Sequence, residues 1–232
     1  MSRRAGYDET DRFTKTPGWV RHLAARDDDI HDDDDEFAGL ALDSAWTQLD
    51  TTGTATWTVK RDLASGLIAG QSASDCSALL KPIASGTNVV IEVAWRVWGS
   101  LQNYIMLGPV FSTGVISSSN VIWQMTWFPT NDFSRDIRSG TFTNISSDHN
   151  QPGTSGQLYT PFGHLYQRFE YDSTLGFRQF FSIDGISFDT YSGGYVTNPL
   201  GGAPTHMGMG YSTWGESRPF NMGLEYFRVN PT

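Results

Sequence analysis

The 232-residue chain is predicted to be all-β, a sandwich of two antiparallel sheets preceded by an extended N-terminal arm. Three observations predict it. Apolar residues alternate with a period of two in several runs. The runs are short and are separated by turns built from Gly, Ser, Asn and Asp, with 24 glycines in all. No stretch shows an amphipathic helix of three turns. The apolar fraction is only 38%, but 8 Trp, 9 Tyr and 14 Phe supply large side chains. Each of these buries about 150–250 Å², so a sizeable core is feasible.

The elements follow in order. Asp43 ahead of Trp46 can hold a turn through side-chain bonds to the backbone, with Trp46 and Phe37 capping one end of the core. Shorter strand-like runs lie near 55–61, 66–70, 77–83 and 103–111. The third includes the apolar stretch Ala78-Leu79-Leu80, bounded by Lys81 and Pro82, and is preceded by Cys76, read as a small buried hydrophobe. Val89, Ile91, Val93, Trp95 and Val97 give one wholly apolar face. Val121, Trp123, Met125 and Trp127 alternate in the same way with Ile122, Gln124, Thr126 and Phe128. Residues 165–171 and 177–183 flank the polar turn Asp172-Ser-Thr-Leu-Gly176. Asp184-Gly185 then predicts a hairpin into residues 186–191, because both residues tolerate φ > 0. Residues 207–211 and 222–229 close the series, giving roughly ten strands or more. The polar segment 130–158 is expected to be a long loop, either functional or packed on a neighbour.

Charge divides the chain. Residues 1–26 hold six Arg or Lys and three Asp or Glu. Residues 27–36 hold eight acids and no Arg or Lys. The net charge of the whole is −9. Residues 1–34 are therefore read as a docking arm with an acidic linker, and residues 35–232 as one β domain. In the arm, Arg12, Phe13, Trp19, Val20, Arg21 and Leu23 are the expected partner-docking residues, since its apolar side chains have no core of their own. An acidic domain is a poor nucleic-acid binder. No run approaches the ~18 apolar residues of a membrane span. One cysteine excludes an internal disulfide. No secretory signal is apparent, so the chain is expected to be made in the cytoplasm and to leave it only inside an assembly.

Three motifs coincide in order. The first is Asp35-Glu36-Phe37-x-Gly39-x-x-Leu42-Asp43-x-x-Trp46. The second is Arg168-Phe169-Glu170-Tyr171 followed by Phe180-Phe181-Ser182-Ile183-Asp184-Gly185-Ile186-Ser187-Phe188. The third is Gly208-Met-Gly-Tyr211 followed by Glu225-Tyr226-Phe227-Arg228-Val229. Together they resemble the concanavalin A-like jelly roll, the superfamily of lectins, laminin-G-like modules and some glucanases, over roughly residues 35–232. The resemblance implies two antiparallel sheets, with the first and last strands paired near the domain termini. A short arm ahead of such a domain also looks like bacteriophage virion proteins, such as tail fibre, head fibre or tail-tip adhesion subunits.

The glucanase branch of that superfamily places acids on one strand in an arrangement like Glu-x-Asp-x-Glu. That motif is absent here, and Glu92 and Glu170 are expected to be isolated, solvent-facing strand acids. No catalytic residue is therefore assigned and no enzyme is expected. Glycan binding needs an exposed aromatic with nearby amides or charges, which selects Trp127, His149, Tyr195, Trp214, Glu216 and Arg218. No cofactor is required, although calcium is possible in a lectin-like fold, with Asp132, Asp136 and Asp148 as candidate ligands. The resulting expectation is a non-enzymatic attachment protein of a phage-like virion. It would bind other virion proteins through residues 1–26, form a homo-oligomer, and contact host surface glycans or decorate the particle. The alternative is a soluble glycan-binding or glycan-cleaving protein with a disordered tail.

Overall fold

A computed structural model describes residues 34–35, 37, 41–50, 55–59, 64–68, 76–83, 88–98, 105–114, 121–128, 137–142, 157–158, 164–182, 184–190, 194–213 and 220–230. Those residues form fourteen strands and no helix. In chain order they are β1 (Thr47–Asp50), β2 (Ala55–Val59), β3 (Ala64–Ile68), β4 (Cys76–Pro82), β5 (Val89–Trp98), β6 (Ile105–Ser112) and β7 (Val121–Phe128). The second half supplies β8 (Ile137–Phe142), β9 (Gln157–Leu158), β10 (His164–Asp172), β11 (Gly176–Ser182), β12 (Asp189–Thr190), β13 (His206–Thr213) and β14 (Phe220–Val229). One sheet runs β1-β4-β13-β6-β7-β8-β9 and the other β12-β11-β10-β5-β14-β3-β2. Every pairing between them is antiparallel, as expected.

The core lies between the sheets. Val89, Ile91, Val93 and Trp95 of β5 enter it, which is the apolar face that alternation predicts. Phe111 packs on Phe169 and Phe177 with ring centroids 5.2 and 5.5 Å apart. Burying such a ring contributes about 1.5–3 kcal/mol. In β14 the register shifts between Leu224 and Tyr226. That bulge lets Leu224 and Phe227 both enter the core, while Tyr226 joins Ala94 and Tyr166 on the outer face.

The end of the acidic run is built into the sandwich. Asp35 and Phe227 exchange backbone hydrogen bonds of 2.8 Å, so the domain's first residues lie along its last strand. The Asp35 carboxylate accepts from Trp46 Nε1 at 2.6 Å and from Phe37 N at 2.7 Å. Asp34 accepts from Val229 N at 2.7 Å. Asp43 accepts from Ala45 N at 2.8 Å, the expected turn, and Phe37 stacks on Trp46 with centroids 6.2 Å apart.

The strand-like run expected near 77–83 is β4, which extends through Pro82, with Lys81 buried and its Nζ 4.5 Å from the Trp46 ring. A long lysine stem can line a core end while its charge rests on an aromatic face. Segment 130–158 is not one loop, since β8 and β9 lie within it and extend the sheet beyond β7. Backbone pairing there overrides a polar composition. Asp184-Gly185 does lie in a hairpin, but with a wider loop, since β11 and β12 pair through Phe180↔Thr190 and Phe181↔Asp189. Ser182 and Asp184 side chains hold the wider loop through bonds to the backbone of Gly185, Ile186 and Ser187. The Cys76 side chain lies outside the described residues.

Candidate functional site

The outer face of the β12-to-β2 sheet carries a grid of charges and rings. Antiparallel register sets its rows. Arg178, Glu170 and Val90 stand side by side on β11, β10 and β5. The next row is Phe180, Arg168, Glu92 and Arg228, ending on β14. The third is Ser182, Tyr166, Ala94 and Tyr226.

Glu92 corrects an expectation. It is 0% exposed rather than solvent-facing, and it is not isolated. Its Oε2 accepts from Arg168 Nε at 3.1 Å and Nη2 at 2.8 Å, and its Oε1 accepts from the Tyr226 hydroxyl at 3.0 Å. Burial first, and then the Glu92 charge, push the Tyr226 phenol well above its ordinary pKa. The outer face is not open sheet. Gly185, at φ 71°, lets the loop backbone sit against Tyr166, where a Cβ would come within 2.9 Å of the ring. Phe188 of the same loop lies 4.2 Å from the Arg168 guanidinium.

Beside this buried centre the first row stays accessible. Arg178, Glu170, Phe180, Phe188 and Tyr195 are all of intermediate exposure. The Arg178 guanidinium lies 4.7 Å from the Phe180 ring and 5.7 Å from the Tyr195 ring. Val196 holds Tyr195 in place, exchanging backbone hydrogen bonds of 2.9 and 2.6 Å with Phe177. The Tyr195 hydroxyl donates to Glu170 Oε2 over 3.5 Å, well beyond the usual 2.7–2.8 Å of an O–H···O bond. Arg178 Nε is buried and has no acceptor among the described residues. Burial raises the Glu170 pKa above the ordinary carboxylate value, against the opposing pull of Arg178 and Arg168.

Of the residues selected from sequence, the structure brings Tyr195 to this face. It does not bring Trp127 there: Trp127 belongs to β7 of the other sheet, in register with Met106 and Arg138. The Trp127 side chain lies outside the described residues. So do His149, Trp214, Glu216 and Arg218, the calcium candidates Asp132, Asp136 and Asp148, and the docking residues Arg12, Phe13, Trp19, Val20, Arg21 and Leu23. Sequence reasoning missed Arg178, Glu170, Phe180 and Phe188. The signal was present, because a turn closing at Asp172 and Gly176 places Arg178 opposite Glu170 by counting outward.

Among the described residues no group of three His, Cys, Asp or Glu side chains converges as a metal site would.

No protein-family model matches the chain. No curated protein matches it by sequence either. Solved structures do match. The GH43 BlXynB protein from Bacillus licheniformis aligns with TM-score 0.62 and 12% identity, over 87% of this chain and 40% of that one. The chain thus spans about two fifths of that protein's length. The Lotus tetragonolobus seed lectin aligns with TM-score 0.55 and 11% identity, over 83% of this chain and 95% of that one. The exoplasmic/lumenal domain of VIP36, in a Ca2+-bound form, aligns with TM-score 0.55 and 10% identity, over 85% and 88%. These likenesses establish the fold, a concanavalin A-like jelly-roll sandwich.

Proposed function

We propose that the chain is a non-enzymatic attachment protein whose jelly roll contacts a glycan through the accessible row around Arg178, Glu170 and Tyr195. The observation that carries this reading is the combination on one rigid face of rings, a guanidinium and a half-buried carboxylate with little internal bonding. Sugars present an apolar ring face and a hydroxyl edge, so an aromatic next to donors and acceptors is the surface that suits them. The VIP36 domain, solved also in a Ca2+/Man2-bound form at TM-score 0.53 to this chain, shows that the fold class can hold a sugar.

The non-enzymatic part rests on Glu92. Glycoside hydrolysis commonly needs two carboxyl groups that both reach the substrate. Glu92 and Glu170 share a face, but both Glu92 oxygens are engaged and the side chain is fully buried. Asp172 follows Glu170 on the same face of β10, but its carboxylate accepts from Thr174 N, Leu175 N and Asn88 Nδ2 and so is committed to its own turn. Placement on a phage-like particle, as a fibre or decoration subunit, rests on the charge division of the chain: a net-positive arm and an acidic run lie ahead of a domain that begins by pairing with its own last strand.

A glycan array tests the reading. The full chain should bind a subset of oligosaccharides without cleaving them, and Tyr195→Ala should abolish that binding while the fold persists. Retention of binding by Tyr195→Ala together with its loss in Trp127→Ala would move the site to the other sheet. Cross-linking of residues 1–26 in assembled particles tests the anchoring role: cross-links to other virion proteins support it, and free digestion of the arm in the particle contradicts it.

A further inference from the structure

The Arg178–Glu170 pair presents an anomaly that bears on ligand class. The two side chains stand opposite each other on β11 and β10. Opposite charges so placed commonly bond to each other. Here the guanidinium is turned onto the Phe180 and Tyr195 rings instead. Its buried Nε has no acceptor among the described residues. Among the described residues Glu170 accepts one side-chain hydrogen bond, the 3.5 Å contact from the Tyr195 hydroxyl. The Glu170 carboxylate is therefore under-used at a half-buried surface beside the Arg178 guanidinium, and leaving such a group unmet is unfavourable.

We infer that Arg178 and Glu170 form a subsite for a vicinal diol of a neutral sugar. One hydroxyl donates to the Glu170 carboxylate, the neighbouring hydroxyl oxygen accepts from Arg178, and the Tyr195 ring borders the sugar's apolar side. A carboxylated or sulfated sugar is disfavoured. Glu170 itself is negative, and Asp172 follows two residues later on the same face of β10. An incoming anion would meet both charges, and the Arg168 charge nearby is already committed to Glu92. The inference rests on the glycan reading above and narrows it to one chemical class and one pair of residues.

The test uses the full chain, an array of neutral oligosaccharides, and their uronate-containing and sulfated counterparts. Titration calorimetry then follows on the strongest binder and on its analogue with the diol methylated. Neutral members should bind, and the methylated analogue and Glu170→Gln should each weaken binding about tenfold or more, as expected for a lost hydrogen bond to a charged group. Arg178→Met should do the same, and circular dichroism should show each variant folded; Arg178→Gln serves if Arg178→Met does not fold and should likewise weaken neutral-sugar binding. Neutral binding unchanged in Glu170→Gln, or binding confined to anionic sugars, overturns the diol subsite while leaving glycan contact standing. Binding of no sugar at all overturns both.

Discussion

Glu92 on β5 and Arg168 on β10 meet across one strand pair, 76 residues apart in sequence, with two guanidinium nitrogens on one carboxylate oxygen at 3.1 and 2.8 Å. Glu92 is fully buried and the Arg168 side chain is 22% exposed. Removing one partner of a buried pair leaves an uncompensated charge, which costs about 3–5 kcal/mol. Arg168→Met should therefore destabilise the domain by about 3 kcal/mol or more in urea denaturation. Arg168→Met combined with Glu92→Leu should recover much of that loss. Equal stability of Arg168→Met and the unaltered chain would contradict the pairing.

Asp35 fastens the start of the domain to Trp46 and Phe37. Phe37 takes φ 51°, an uncommon conformation for a non-glycine residue, and the Asp35 carboxylate bonds its N–H. Asp35→Ala should destabilise by about 1–3 kcal/mol, the usual effect of stranding buried donors. Trp46, now 8% exposed, should then show red-shifted emission in Asp35→Ala relative to Asp35→Asn.

Gly176 has φ 101°, and a Cβ there would collide with the Val196 carbonyl that accepts from Phe177 N. Gly176→Ala should therefore destabilise by about 2 kcal/mol or more. It should also weaken glycan binding, because Val196 sets the position of Tyr195. Gly194 is the control: a Cβ there meets nothing within 4 Å. Gly194→Ala should lie within about 0.5 kcal/mol of the unaltered chain. Thermal melting and calorimetry distinguish the two.

Burial raises the Glu170 pKa in the folded state. Between the unfolded and folded values the folded chain holds the proton more tightly, so this group's contribution to stability falls as pH rises through that window. Above it the buried charge is a constant penalty. Glu170→Gln should thus melt higher than the unaltered chain at neutral pH, with the advantage shrinking as pH falls below the raised value. Glycan binding should show the opposite trend. It needs the carboxylate as acceptor, so it should weaken on acidification, starting at a higher pH than for an ordinary glutamate.

Much of the sandwich was legible because β5, β10 and β11 obey period-two alternation and their turns carry Asp and Gly. Phe37, Asp43 and Trp46 were readable for a similar reason: their contacts are local. The burial of Glu92 was not readable. Alternation puts it opposite Val93 and Ile91, and a residue facing away from the core is ordinarily wet. It is dry because Tyr226, brought outward by a bulge, and Arg168, beneath Phe188, close over it. Strands β8 and β9 were hidden in a polar segment whose pairing depends on β7, which no local pattern reports. Tyr195 was selected as an aromatic expected to be exposed, whereas its partners Arg178 and Glu170 required the hairpin register.

The central claim is that a glycan meets the outer face of β10 and β11, not the outer face of the sheet that holds β6 and β7. Chemical-shift mapping of the full chain during titration with the strongest-binding neutral oligosaccharide tests it directly. The largest perturbations should fall on the amides of Glu170, Arg178, Phe180 and Tyr195, with β6 and β7 unchanged. Perturbations centred on Val110, Val121 and Trp123, with Glu170 and Arg178 unmoved, would contradict it.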